Sequence, residues 1–166
     1  MIFGNTATFA LELEMINSPF GRFRAWIGGR AIGDFAIVSA SVTILECFIH
    51  YLTLPQREEF TEAAPVLFDL MKETSFGKKW PNHNSYKFIQ YFFAPGYPPF
   101  DEWWGVMLPL GSQIRFIFRR HDEQILNDVL VPTEEVTACL EQAKKWVEWN
   151  YHLRWTAEGF LDTASP

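Results

Sequence analysis

Apolar and polar positions alternate with period two in two separate parts of the chain, the signature of half-buried strands. Phe9, Leu11, Leu13 and Met15 fall on one side of an extended chain, with Ala10, Glu12 and Glu14 on the other, which predicts a strand over Phe9–Met15. Asn17-Ser18-Pro19 and Gly21 mark a turn. Arg22–Ile27 alternates again, and Gly28-Gly29 supplies a tight hairpin turn, because glycine tolerates positive φ. Ala31–Phe35 returns as a third strand. The second cluster comprises Trp103–Leu110, Gln113–Phe118 and Ile125–Val131, with Leu110-Gly111-Ser112 and the charged run Arg119–Glu123 as turns. Asn127 and Asp128 weaken the last of these strands.

Other segments carry helical spacing. Val42, Leu45, Ile49 and Leu52 form one stripe, widened by Phe48, and predict a helix over about 42–54. Ile44, Cys47 and Tyr51 lie off that stripe, so the helix is expected to be covered on most sides. Pro55 suits a second helix start, with Glu58, Glu59 and Glu62 early in it; Pro65 is expected to break it, with further turns over Val66–Lys72. Val136, Leu140, Ala143, Val147 and Tyr151 define a last helix, capped by Thr133, led by Glu134 and Glu135, and running to about Trp155, with a tail from Gly159. Thr74–Asn84 reads as a polar connection, Tyr86–Phe93 as a buried strand or short helix, and Ala94–Pro99 as irregular.

The fold class this order predicts is α+β: one antiparallel sheet of about six strands, in βββ-α-βββ-α order, with helices on one face. Single strands alternating with helices, as a parallel series requires, are missing. A length of 166 residues fits one domain, 1–166. Phe occurs 16 times and Trp 7 times, so much of the core must be aromatic.

Composition then narrows the chemistry. A net charge of -6 argues against a nucleic-acid partner and is compatible with a basic protein partner. Cys47 and Cys139 read as small buried hydrophobes in a reducing compartment. Residues 1–10 lack the basic start and apolar stretch of a signal peptide, and no window has the ~18 apolar residues of a membrane span. A cytoplasmic protein that meets no membrane is expected. His50, His83, His121 and His152 lack zinc-site spacing, and no Cys-x-x-Cys occurs. His50 reads as a helix-surface partner of Glu46. Gly28-Gly29 precedes a strand, so it lacks the geometry of a phosphate loop. Neither a catalytic site, nor a metal, nor a cofactor is expected.

The aromatic excess remains. Phe92, Phe93, Tyr97, Phe100, Trp103 and Trp104 crowd a proline-rich segment beside Asp101 and Glu102. Either the segment covers a core edge, or some of these rings stay exposed within an acidic rim and form a protein-binding patch. On the last helix, Trp149 and Leu153 lie off the apolar stripe, covered by the tail around Phe160 and Leu161 or exposed for a partner. The candidate partner-binding residues are therefore Tyr97, Phe100, Asp101, Glu102, Trp104, Trp149 and Leu153. A small-molecule-binding or regulatory domain with an aromatic pocket is the alternative.

Several motifs carry a family resemblance: Met1-Ile2-Phe3-Gly4-Asn5, Phe9–Glu14, Gly21-Arg22-Phe23, Trp26-Ile27 and Ile32-Gly33-Asp34-Phe35. Ser39–Leu45, Phe100-Asp101-Glu102-Trp103, Arg115–Phe118 and the helix from Pro132 add to it. Together they resemble bacterial immunity protein family forty-two of polymorphic toxin systems; Glu73–Pro99 departs from the pattern. The resemblance implies a protein that neutralises a cognate toxin by contact, needs no cofactor and, given its charge, suits a basic, nuclease-like toxin through steered association.

Overall fold

A computed structural model describes residues 1–53, 60–75, 97–156 and 159–162. Four strands run in spatial order: β1 (Ile2–Asn5), β2 (Phe9–Asn17), β3 (Phe20–Ile27) and β4 (Arg30–Ile32). The two-residue β5 (Val38–Ser39) also pairs with β3, completing a five-stranded antiparallel sheet. A second, three-stranded sheet holds β6 (Trp103–Leu110), β7 (Gln113–Arg120) and β8 (Asn127–Pro132) in sequence order. Helices α1 (Ser41–Thr53), α2 (Ala64–Ser75) and α3 (Thr133–Tyr151) complete the body, and β9 (Leu153–Thr156) pairs with β10 (Gly159–Asp162) as a hairpin.

All six expected strands form, with antiparallel pairing and in the expected order. They divide between two sheets, which the period-two pattern alone does not reveal. Phe9 of β2 stacks on Phe116 of β7 at 5.4 Å, and Phe48 of α1 meets both Phe9 and Phe23. One aromatic core thus joins both sheets to α1. Its walls are the inward positions of β2 and β3 (Phe9, Leu11, Leu13, Phe23, Ala25, Ile27), all fully buried. Val42, Ile44, Leu45, Phe48, Ile49 and Tyr51 of α1 are buried too, so that helix is covered on most sides, as its side chains require.

The helices do not share one face. β7 alternates, so Arg115 and Arg119 point away from the side on which Phe116 stacks. On that far side Arg119 lies over the Phe68 ring of α2 at 4.7 Å. Arg115, 9% exposed, forks onto Asp128 of β8 at 2.8 and 2.7 Å and donates to the carbonyls of Glu62 (2.7 Å) and Phe60 (3.4 Å). Asp128 and Asn127, the residues expected to weaken β8, instead fasten it, since the Asn127 amide donates to the Phe118 carbonyl at 3.1 Å.

Four local expectations are corrected. Pro65 lies in the first turn of α2, where its missing N–H costs nothing, so it begins that helix instead of breaking one. The strand expected over Ala31–Phe35 ends at Ile32, because Gly33 takes φ +101° and the Asp34 N–H turns to the Pro99 carbonyl at 2.7 Å. Thr133 is the first residue of α3 and Pro132 its cap, with no side-chain capping bond. Finally, α3 stops at Tyr151, since His152 adopts the left-handed conformation, and the stretch beyond it forms a hairpin and not a tail. The expectations for Leu54, Pro55–Glu59, Tyr86–Phe93 and 94–96 lie outside the described residues, as does all of Thr74–Asn84 except its first two residues, which end α2.

Candidate functional site

In the described part of the proline-rich segment, Pro98–Phe100 forms a 3-10 turn clamped to the edge of the five-stranded sheet. Phe100 is the clamp. It is 4% exposed and its ring packs on Phe23 at 6.0 Å. Gly33 allows the approach, because a Cβ there would stand 3.3 Å from the Phe100 ring. Tyr97 packs against the core as well, and the Cys47 thiol donates to its hydroxyl at 3.7 Å. Burial, with Cys47 beside it, pushes the Tyr97 phenol up to about 12. Trp104 also lies against the core, its ring 5.3 Å from His121. The rings expected as surface anchors therefore mostly face inward. Phe100 in particular supports the segment from below and presents no surface of its own.

The carboxylates emerge instead. Asp101 and Glu102 are exposed at the turn into β6. Glu102 reaches Arg120 at 2.6 Å, and Arg120 also faces Asp122 at 3.2 Å. Hydrogen bonding to Glu102 holds the Arg120 guanidinium above its ordinary pKa. An open cleft of about 530 Å³ sits here, between the edge of the first sheet and the start of the second. Asp34, Asp101, Glu102 and Arg120 line it, over a floor that includes Ile37 and Trp103. The lining thus holds three acidic residues and one arginine, with the Asp34 carboxylate accepting from the Ala36 N–H at 2.9 Å. Sequence reading found Asp101 and Glu102 as neighbours. It missed Asp34 and Arg120, for which the only signals were the Gly33-Asp34 strand end and the charged turn at Arg119–Glu123.

Trp149 and Leu153 part company. Trp149 is 85% exposed on α3, whereas Leu153 is buried at the start of β9, and neither lines the cleft. Both thiols are free, and burial pushes each of them up, Cys139 to about 12, away from the thiolate form. Among the described residues no group of three or more His, Cys, Asp or Glu side chains is placed to hold a metal ion. No helix among them is long and apolar enough to cross a membrane.

An antiparallel α+β body with an open, acid-rimmed cleft and an exposed tryptophan has the make-up of a protein-recognition module. The family model for immunity protein 42 matches residues 1–146, so the chain belongs to that family and is a toxin-neutralising immunity protein. The match runs through Glu73–Pro99, where the motifs depart most from the pattern. The chain is similar in fold to the crystal structure of CdiI from Burkholderia dolosa AUO158. That likeness has a TM-score of 0.59 at 13% identity and covers 86% of this chain and 97% of the other. No curated protein matches the sequence.

Proposed function

We propose that the protein captures a basic, nuclease-like toxin domain in the cytoplasm, acts by binding alone, and uses the cleft rimmed by Asp34, Asp101 and Glu102 as part of the contact surface. The observation that carries this reading is the charge of the cleft: three carboxylates to one guanidinium, on a chain of net charge -6. Such a surface accelerates encounter with a cationic partner. The 3-10 turn is held by Phe100 and by the Asp34–Pro99 bond, so little ordering entropy is lost when the rim is engaged. Tyr97 and Trp104 act mainly as supports in this reading, and Trp149 is a second, exposed anchor.

The test is the association rate with the cognate toxin domain, measured across a salt series. Asp101→Lys with Glu102→Lys is expected to slow association and flatten its salt dependence, with the melting temperature close to that of the parent. An unchanged rate and an unchanged salt slope would place the contact surface away from the cleft.

A further inference from the structure

β8 is the outer strand of the three-stranded sheet, and its hydrogen-bond phase can be read directly. Opposed residues of an antiparallel ladder alternate between pairs that exchange bonds and pairs whose backbone groups turn away. The register opposes Gln113 to Pro132 and Ile114 to Val131, and the next step opposes Ser112 to Thr133. Thr133 N–H donates to the Ser112 carbonyl at 3.0 Å, so this pair is a bonded one. Counting back by twos, Val131, Val129 and Asn127 bond to β7, while Pro132, Leu130 and Asp128 turn their backbone groups outward. Pro132 agrees with this phase, because a proline is tolerated where no ladder donor is needed.

The N–H and C=O groups of Asp128 and Leu130 therefore point away from β7. Among the described residues no backbone group bonds to them. Leu130 is 48% exposed, and Ile125, just ahead of the strand, is 70% exposed. Native sheets usually blunt such an edge with a charge or a proline or cover it; here Pro132 closes the far end and the charge of Asp128 is taken up by Arg115, so the stretch Asp128–Leu130 remains as a template for a further strand. Acidic residues flank it at both ends: Asp122, paired with Arg120, and Glu123, paired with Arg30, in the turn before, and Glu134 and Glu135 at the start of α3. Asp122 belongs to the same ion-pair group as Arg120 and Glu102, so the edge continues from the rim of the cleft.

We infer that the free edge of β8 receives an extended segment of the toxin as an added strand, one carrying basic side chains at its ends and an apolar side chain against Leu130. This rests on the toxin-binding reading above and names a second element of the same contact surface. A second copy of this chain fits poorly, because two such edges would bring their flanking carboxylates together.

Amide hydrogen exchange on the full chain, alone and with the cognate toxin domain, decides the matter. In the free protein Val129 and Val131 are expected to be protected and Asp128 and Leu130 to exchange fast. In the complex Asp128 and Leu130 become protected too. Leu130→Pro removes an outward donor without touching the β7 ladder and is expected to weaken binding roughly tenfold. Should that variant fold poorly, exchange in the parent protein decides alone. A complex that forms normally, with both amides still exchanging at the free rate, overturns the strand pairing and leaves the cleft reading intact. Failure to form any complex with that toxin overturns both.

Discussion

Replacing Arg115 by Met is expected to destabilise the protein by about 2–3 kcal/mol, although the swap removes a charge from a buried position. The wild-type guanidinium makes two bonds to Asp128 and one good bond to the Glu62 carbonyl, and its side chain is only 11% exposed. Truncating one partner of a fully buried pair costs about 3–5 kcal/mol. Asp128, at 38% exposure, can recover some hydration, which lowers that figure. Against this, the Glu62 carbonyl loses a charge-assisted bond, worth about 1.5–3 kcal/mol. Met fills the vacated space and removes the desolvation cost of the guanidinium, which brings the net to about 2–3 kcal/mol, and a domain of this size would lose roughly 5–10 °C of melting temperature. Urea unfolding gives the free energy, and the double variant Arg115→Met, Asp128→Leu separates the pair from the carbonyls. The double variant should recover part of the loss, since no unpaired carboxylate remains. A single variant within 0.5 kcal/mol of the parent (the scatter typical of surface changes) would show that the fork does not hold the chain before α2 to the sheet.

Gly33→Ala would place a Cβ at 3.3 Å from the Phe100 ring on a backbone with φ +101°. It is expected to cost about 1–3 kcal/mol in thermal unfolding and to slow toxin association, because the 3-10 turn must lift. Glu12 titrates on the outer face of the first sheet. Partial burial pushes its carboxyl up, but hydrogen bonds from Arg24 and Trp26 outweigh this, so its folded pKa lies below the ordinary 4.5. A depressed pKa contributes stability above 4.5 that is lost as pH falls through the folded value, so Glu12→Gln should flatten the acid limb of a stability–pH curve below 4.5 and leave its shape at neutral pH unchanged.

β2 and β3 were legible because charged positions alternate with buried apolar ones, whereas β6 and β7, covered on both faces over Val106–Leu108 and Ile114–Phe118, were legible from the turn residues between them. β1 and β5 were not. In β1 only Phe3 is buried, and β5 is two residues held by its partners. The end of α3 was misread because Val147 and Tyr151 keep helical spacing up to the residue where His152 turns left-handed, and no glycine or proline announces the stop. Much the same holds for the site. Asp101 and Glu102 are adjacent in the chain, so their acidity was visible, whereas Arg120 reaches the cleft through the β6–β7 register and Asp34 through its backbone bond to Pro99. Aromatic crowding around Phe100 signalled a special segment. The sequence could not show whether those rings face outward, and the close approach that Gly33 permits turns Phe100 in.

The central claim, neutralisation by direct contact at the acidic face, is most directly tested by co-expressing the protein with its cognate toxin domain and isolating what forms. The account predicts that growth is restored and a stoichiometric complex co-purifies, and that the Asp101→Lys, Glu102→Lys variant assembles more slowly and protects less well at equal expression. Growth restored without any isolable complex, or a complex whose formation and protection are indifferent to that charge reversal, would contradict it.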